Sequence, residues 1–332
     1  MNPSTGGVFS AVQLLNDALL DAGVNSRISD DRKTKIKNNR EWVVAHGLWQ
    51  WPGQRARELG NPYLVYPHGM LDPWFKKSYP FKHLKKQLYW WARQGAILRY
   101  AQAVCYTTEE ERRLAQGTFF PYRCKEVVTG LGVTDPPLRA DEQKNAFLRQ
   151  FPNLRNRRIL LYLGRFHPKK GVDDLINSWQ NQCRNDTDTL VLAGPTEKNN
   201  SWFNHLHKLS GMDSSIHWTG MLEGELKWGA LRTADSMILP SHQENYGMVV
   251  AEACSVGLPV YLTDKVNLWS EVIEAEAGRV ESDTPEGIEK LVNLWLKSDH
   301  STLSIGAQKC FAERLHIKQT AKRLIEIISK NS

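Results

Sequence analysis

The 332-residue sequence is poor in cysteine and lacks long apolar runs. Its five cysteines form no C-x-x-C pair. An odd, scattered set argues against a disulfide framework or a structural zinc site and is typical of a reducing cytosol. The first residues show no basic segment followed by an apolar one, so we expect no secretory signal. No run of about 18 apolar residues occurs, so we expect no membrane-spanning helix.

The remaining composition is that of an ordinary globular protein. Hydrophobic residues make up 41% of the chain and charged residues 24%. At this length we expect two domains of roughly 150 residues. The net charge of +7 indicates an anionic partner, and charge alone leaves nucleotide, lipid surface and nucleic acid as candidates. Because no nucleic-acid-binding module is recognisable, we expect no nucleic-acid partner.

Two glutamates, Glu244 and Glu252, flank a turn of sequence Asn-Tyr-Gly. Apolar residues before the turn predict a buried strand end, and residues 248–255 contain no helix breaker. Glu244 is therefore expected in a loop at the carboxyl end of a strand, where open α/β sheets bind ligands. The first N–H groups of the following helix suit a phosphate. Glu252, about one turn into that helix, is expected to reach hydroxyls of a bound nucleotide or sugar.

A basic loop follows the apolar strand predicted at residues 158–163. From Gly164 it reads Gly-Arg-Phe-His-Pro-Lys-Lys-Gly and includes Arg165 and Lys170. A guanidinium and an ammonium on one loop can neutralise a diphosphate, the first as a planar fork and the second as a point charge. Taken alone, the segment is equally compatible with a solvated basic turn.

Both patterns resemble the retaining glycosyltransferases of family 4, the first their E-x7-E signature and the second their G-R-…-K-G motif. The resemblance implies the α/β GT-B fold, in which two Rossmann-like domains face each other across a cleft. It implies that Arg165 and Lys170 bind the two phosphates of a nucleotide diphospho-sugar. Glu244 is then expected to contact the sugar and Glu252 the ribose. The other implied donor-binding residues of this half are Gly164, Asn245, Tyr246, Gly247 and Met248.

The first half of the chain carries two further matches to this family. Gly6 and Gly7 stand where the family has a Gly-Gly loop that approaches the leaving phosphate. The segment Pro67-His-Gly-Met-Leu-Asp-Pro-Trp74 resembles the P-H-G-x-L-x-P-W segment of members that build bacterial surface polysaccharides. It implies that His68 donates a hydrogen bond to a sugar hydroxyl near the reacting carbon. For His46 two interpretations remain open: a contact on the acceptor side, and packing at the end of a strand.

We expect neither a metal ion nor a cofactor. Two fixed cations and a helix terminus can stabilise the charge of the leaving diphosphate without a metal. Asp186-Thr-Asp188 imitates the D-x-D metal motif of the other major glycosyltransferase fold. It precedes the strand predicted at residues 189–193 and so lies at that strand's amino end, away from the ligand edge. We interpret it as a coincidence.

Residues 74–99 contain seven Lys or Arg and no Asp or Glu. Leu84, Leu88 and Trp91 share one face of the predicted helix. Two interpretations remain open: an interfacial helix on an anionic membrane, and a domain helix with a solvated basic face.

The predicted organisation has an acceptor-side domain over residues 1–140 and a nucleotide-sugar-binding domain over 141–315. A terminal helix over 316–332 is expected to cross back to the first domain, as is common in GT-B proteins. The family's first β-strand precedes the Gly-Gly loop, and the residues before Gly6 are too few to form it. The N-terminal domain is therefore expected to be trimmed, without its first strand.

The predicted reaction moves a hexose from a nucleotide diphospho-sugar to a hydroxyl of a lipid-linked or oligosaccharide acceptor. The resemblance implies retention of anomeric configuration and a role in surface polysaccharide synthesis. The expected location is the cytoplasm or the inner face of the membrane. The alternative is a degenerate, non-catalytic homologue that binds nucleotide or a partner enzyme.

Overall fold

The computed structural model describes residues 7–33, 36, 41–196, 201–297 and 300–330. Gly6 lies outside the described residues, as does the position expected for a strand ahead of it. The chain forms two compact units. One contains the described residues up to Thr134 and those from Leu315 onward, and the other runs from Asp135 to Arg314.

The helices and strands follow in chain order. Up to residue 134 they are α1 Gly7–Asp21, β1 Val43–His46, α2 Trp51–Glu58, β2 Tyr63–Tyr66, α3 Trp74–Ser78, α4 Pro80–Tyr89, α5 Gly95–Tyr100, β3 Ala103–Tyr106, α6 Glu109–Ala115 and β4 Glu126–Val128. The second unit contains α7 Ala140–Gln150, β5 Arg158–Leu163, α8 Val172–Gln180, β6 Asp188–Ala193, α9 Ser201–Ser210, β7 Ile216–Gly220, α10 Gly224–Thr233, β8 Ser236–Leu239, α11 Met248–Ser255, β9 Val260–Thr263, α12 Trp269–Glu274, β10 Gly278–Glu281, α13 Pro285–Lys297 and α14 Ser301–Cys310. The last helix is α15 Ile317–Lys330.

The sheet of the first unit has four parallel strands in the order β1-β2-β3-β4. All four residues of β2 are buried. Tyr63 and Val65 pack into one hydrophobic cluster, and Leu64 and Tyr66 pack into another. Because side chains alternate along a strand, these two clusters lie on opposite faces of the sheet. A strand covered on both faces needs no polar positions, which explains its continuous apolar sequence.

Helix α15 packs on the same face of this sheet as α1. Leu324 of α15 is fully buried and belongs to one cluster with Leu15 of α1 and Leu64 of β2. The backbone of the helix is tied in as well, since Ile317 N–H donates to the carbonyl oxygen of Val133 at 2.9 Å. The end of the described chain is thus part of the first unit's core.

The sheet of the second unit has six parallel strands in the order β10-β9-β8-β5-β6-β7. From β5 the chain first builds outward through β6 and β7. It then returns to the other side of β5 with β8 and continues through β9 and β10. The strand order therefore reverses between β5 and β8, and such a reversal is where open α/β sheets form a ligand-binding crevice.

The predicted α/β fold with two parallel-sheet units is confirmed. The predicted helix over residues 248–255 has those bounds in α11. The five cysteines are free thiols, three of them buried. Among the helices that the structure describes, none combines the length and the apolar character that crossing a membrane requires.

The packing of α15 gives a stability prediction. We expect Leu324→Ala to lower the free energy of unfolding by about 2–5 kcal/mol, because it opens a cavity beneath a fully buried side chain. Urea unfolding measures the change, with the exposed Lys322→Ala on the same helix as the control. Equal stability of the two variants would show that α15 does not complete this core.

Candidate active site

Two loops leave the carboxyl ends of the strands on either side of the reversal point. One follows β5 over residues 164–171, and the other follows β8 over residues 240–247. The backbone joins them directly, since His242 N–H donates to the carbonyl oxygen of Lys169 at 2.9 Å. The basic loop and the first glutamate of the sequence pattern are thus neighbours in space.

Gly171 explains how closely these loops approach. Its φ of +62° is in the left-handed region that favours glycine. A Cβ atom at this position would also collide with the carbonyl oxygen of Pro240. Glycine is therefore required here by both its backbone angle and the space around it.

The short 3₁₀ helix Pro168–Lys170 directs Lys170 toward Glu244, and the two side chains form an ion pair. Lys170 is almost fully buried, with 8% of its surface exposed, so its charge needs this partner. Glu244 is fixed in turn by the loop after β9. Its N–H donates to the carbonyl oxygen of Lys265 at 2.9 Å, and its own carbonyl oxygen accepts from Asn267 N–H at 3.0 Å.

Arg165 lies on the same loop with its side chain exposed, directly after Gly164. Its carbonyl oxygen accepts a hydrogen bond of 2.9 Å from the hydroxyl of the buried Tyr162, which anchors the loop to β5. His167 lies on the same loop. Its pKa is lowered first by burial and then by the positive charges of Lys169, Arg165 and Lys170. An anion bound here would meet a positive potential.

Helix α11 begins beside Glu244. Its N-cap residue is Gly247, with a φ of +74°, so no side chain caps the first N–H groups. Met248 is the first helical residue and is partly buried, while Tyr246 is buried. The side-chain oxygen of Asn245 accepts a long hydrogen bond of 3.5 Å from Asn267. Uncapped N–H groups at a helix start are suitable donors to a phosphate.

Glu252 lies one turn further along α11 and forms an ion pair of 2.8 Å with Lys227 of α10. The sequence did not predict this partner of Glu252, because Lys227 is 25 positions away and belongs to no recognisable motif. Its ammonium also lies 4.9 Å from the ring centroid of Trp228. The ion pair holds the carboxylate of Glu252 in one orientation.

Asp188, the second carboxylate of the D-x-D sequence, has a structural role. It is buried at the amino end of β6, forms an ion pair of 3.3 Å with Arg158, and accepts from Asn185 N–H at 2.9 Å. Across the described ranges, no three His, Cys, Asp or Glu side chains come together as a metal site.

In the first unit, His68 forms a pair with His46. His68 Nε2 and His46 Nδ1 lie 2.9 Å apart, and both rings stack near Tyr66. One nitrogen must donate and the other accept, so the hydrogen bond requires at least one neutral ring. Burial lowers the pKa of His68 to about 4. Burial and then the charge of His68 lower the pKa of His46 well below its usual value. Both rings are therefore neutral at pH 7.

Glu111 is a second residue that sequence reasoning missed. It is 3% exposed, and its carboxylate accepts from Gly69 N–H at 2.5 Å, from Thr107 N–H at 2.8 Å and from the Thr107 hydroxyl at 2.6 Å. His68 has a φ of +51°, so the turn that it forms with Gly69 is strained. By accepting the Gly69 N–H, the Glu111 carboxylate holds this turn in place. A signal exists in the pattern Thr108-x-x-Glu111, which resembles a helix capping box. Thr108 does cap α6, but Glu111 reaches the loop after β2 instead of the N-cap backbone.

Gly7 is the first residue of α1. A Cβ atom there would meet nothing within 4 Å, so the backbone borders open space. The structure thus brings together Gly164, Arg165, Lys170, Glu244 and the start of α11 in the second unit. His68 and Gly7 belong to the first unit.

The model of the family "Glycosyl transferases group 1" matches residues 144–310, which is half of the chain. The chain belongs to the group 1 glycosyl transferases. The match includes both loops at the reversal point and all of α11. It ends before α15 and leaves the first unit outside.

Proteins of known role are similar in sequence to parts of this glycosyl transferase. Glycogen synthase of Mycobacterium tuberculosis is 28% identical over 119 residues, which are 36% of this chain and 29% of that protein. Alpha-D-kanosaminyltransferase of Streptomyces kanamyceticus is 27% identical over 235 residues, which are 68% of this chain and 58% of that protein. The chain thus spans less than two thirds of the length of either relative.

Solved structures are similar over nearly the whole glycosyl transferase chain. Sucrose-phosphate synthase from Thermosynechococcus elongatus has a TM-score of 0.71 at 18% identity, covering 99% of this chain and 94% of that one. The Anabaena protein HepE, in complex with UDP and glucose, has a TM-score of 0.70 at 15% identity, covering 98% and 83%. These likenesses establish the fold, and the predicted GT-B architecture is confirmed.

The contact of Gly171 with Pro240 gives a prediction with a matched control. Gly171→Ala combines the left-handed backbone cost of about 1–2 kcal/mol with a steric clash of about 1–3 kcal/mol. Gly211→Ala, with a φ of +58° and open space around it, has only the backbone cost. We expect Gly171→Ala to be the less stable variant in urea unfolding. Equal losses would contradict the close approach of the two loops.

The histidine pair predicts a pH dependence of stability. Below pH 6.5 the unfolded chain takes up protons on His46 and His68, whereas folded His68 stays neutral down to about pH 4. Stability should therefore fall as pH falls through this window, by up to about 1.4 kcal/mol per pH unit for each histidine. The double variant His46→Asn/His68→Asn should lose this part of the dependence, while His205→Asn at an exposed position should keep it. An unchanged profile in the double variant would overturn the assignment.

Proposed function

We propose that this protein is a retaining, metal-independent hexosyltransferase of family 4. It takes the sugar from a nucleotide diphospho-sugar and transfers it to a hydroxyl of a lipid-linked or oligosaccharide acceptor. The observation that carries the proposal is the pairing of Lys170 with Glu244 at the reversal point of the second sheet, with Arg165 exposed on the same loop. HepE, a protein of similar fold, is described in complex with UDP-glucose, which supports a nucleotide-hexose donor.

The charges of this site suit a diphosphate leaving group. Arg165 and Lys170 neutralise its two phosphates, and the uncapped start of α11 offers N–H groups. When a phosphate binds Lys170, the carboxylate of Glu244 is released to accept hydrogen bonds from sugar hydroxyls. Fixed donors aimed at developing negative charge are worth about 3 kcal/mol each in the transition state. This supports chemistry that needs no metal ion.

We propose a front-face substitution, in which no side chain of the enzyme attacks the sugar. The bond between the anomeric carbon and the phosphate oxygen breaks, and the acceptor oxygen bonds to the same face of the carbon. The acceptor's proton passes to the leaving phosphate oxygen. Glu252, held by Lys227, binds the ribose, and Gly164 with residues 245–248 lines the donor site.

His68 has the role that the P-H-G segment implies, donating a hydrogen bond to a sugar hydroxyl. Its low pKa supports this role, because a neutral ring can donate from one nitrogen while the other is bonded to His46. The same segment supports an acceptor in surface polysaccharide synthesis. Residues 1–140 are proposed as the acceptor-side domain, residues 141–315 as the donor domain, and 316–332 as the returning helix.

Nucleotide binding tests the donor site. Thermal unfolding against UDP, GDP, ADP, CDP and dTDP should show one diphosphate that raises the midpoint selectively, since a ligand at 100 times its Kd adds about 2.7 kcal/mol to stability. Arg165→Ala should weaken binding of that diphosphate by roughly 10- to 100-fold and leave the matching nucleoside almost unaffected. The exposed Lys208→Ala on α9 is the control. Equal losses for diphosphate and nucleoside would show that the clamp is assigned wrongly.

Turnover separates the enzyme from a non-catalytic homologue. The donor identified by its nucleotide should be hydrolysed or transferred slowly by the wild type, and Glu244→Gln should abolish this turnover while the nucleotide still binds. Nucleotide binding without any turnover in the wild type would favour the binding-only homologue.

A further inference from the structure

A ridge of apolar side chains projects from α4 and the π-helical turn that follows it. Phe81, Leu84, Leu88 and Trp91 recur every three or four residues and so share one face. Their exposed fractions are 85%, 59%, 56% and 59%. None of the ten residues of α4 is buried. A helix normally turns its apolar face to the protein core, whereas this one turns it to the solvent.

Phe120, 77% exposed, extends the ridge from a neighbouring loop. Its carbonyl oxygen accepts from Gln87 Nε2 at 2.7 Å and from Trp91 Nε1 at 2.6 Å. Its N–H donates to Gln87 Oε1 at 3.2 Å. These three hydrogen bonds hold the loop against α4. We call this surface, formed by Phe81, Leu84, Leu88, Trp91 and Phe120, the α4 ridge.

The α4 ridge has a rim of positive charge. The exposed basic residues of its segment are Lys76, Lys77, Lys82, Lys85, Arg93 and Arg99. No acidic residue occurs between positions 74 and 99. A second copy of the chain docked ridge to ridge would bring two like-charged rims together, which Coulomb repulsion opposes. An anionic lipid surface offers apolar chains to the ridge and negative headgroups to the rim.

We propose that the α4 ridge docks onto an anionic membrane, with α4 lying in the headgroup layer and the ridge facing the acyl chains. This inference rests on the proposed function and deepens it, since a lipid-linked acceptor lies in the same membrane. A cavity of about 60 Å³ lies between α4 and the loop after His68, lined by Met70, Tyr79, His83 and Lys86 among others. His83 and Lys86 are on the helix face turned away from the ridge. The docking surface and the loop after His68 therefore lie on opposite sides of α4, in the same unit.

Vesicle co-sedimentation of the full chain tests the inference. We expect binding to phosphatidylcholine mixed with phosphatidylglycerol, weaker binding to phosphatidylcholine alone, and weakening as salt is raised. Leu84→Ser and Leu88→Ser should each reduce affinity about ten-fold, because each removes apolar surface from the acyl region. Lys82→Gln and Lys85→Gln should each reduce it about five-fold, and only on the anionic vesicles.

Two exposed positions in the second unit supply matched controls. Ile305→Ser removes an apolar side chain that is 71% exposed, and Lys208→Gln removes an exposed charge. Both should bind vesicles like the wild type. Absence of vesicle binding at low salt, or equal binding by the ridge and control variants, overturns the inference. So does a dimer in sedimentation velocity that Leu84→Ser/Leu88→Ser makes monomeric, because the ridge would then bind a second copy.

The diphosphate-induced thermal shift, measured on Leu84→Ser/Leu88→Ser, separates this inference from the proposed function. It should equal that of the wild type, because the nucleotide site lies in the other unit. A retained shift without vesicle binding in the wild type rejects only the membrane surface. Vesicle binding without any nucleotide shift rejects only the donor site.

Discussion

The contact between Gly171 and the carbonyl oxygen of Pro240 is the constraint on which the rest of the second unit's site depends. It brings the loop after β5 against the loop after β8, where the strand order of the parallel sheet reverses. With the backbones this close, the nearly buried Lys170 is within reach of Glu244 and forms an ion pair with it. A larger residue at position 171 would separate the two charges and leave a buried ammonium without its partner.

Buried polar side chains are stabilised in different ways in the two units. In the second unit the charges are compensated in pairs, Lys170 with Glu244 and Lys227 with Glu252. In the proposed function a diphosphate takes Lys170 as its partner, and the released Glu244 carboxylate then needs new hydrogen-bond donors, for which sugar hydroxyls are proposed. In the first unit the imidazoles of His46 and His68 remain neutral and share one hydrogen bond. A neutral donor suits the role proposed for His68, because a sugar hydroxyl has no charge to neutralise.

Glu111 shows how a residue far away in the sequence can hold a strained turn. It lies 42 positions from Gly69, yet its carboxylate accepts the Gly69 N–H and two hydrogen bonds from Thr107. The turn after β2 and the turn after β3 are thereby joined through one buried side chain. This arrangement keeps His68 in a left-handed conformation that an isolated turn would seldom adopt.

The sequence by itself determined strands β5, β6 and β8, helix α11 and the two loops at the ligand edge. Parallel strands covered on both faces are continuous apolar runs, and a helix between a glycine N-cap and Gly257 has local end signals, so neither needs distant contacts to be recognised. The exposed face of α4 was also visible as a helical repeat, but the sequence left its two interpretations open. Only the tertiary structure decided that this face is uncovered, that Lys227 holds Glu252 and that Glu111 holds the turn at His68. The two side-chain contacts join residues that are 25 and 42 positions apart. A local sequence pattern cannot predict such contacts, because they depend on how the strands and helices pack.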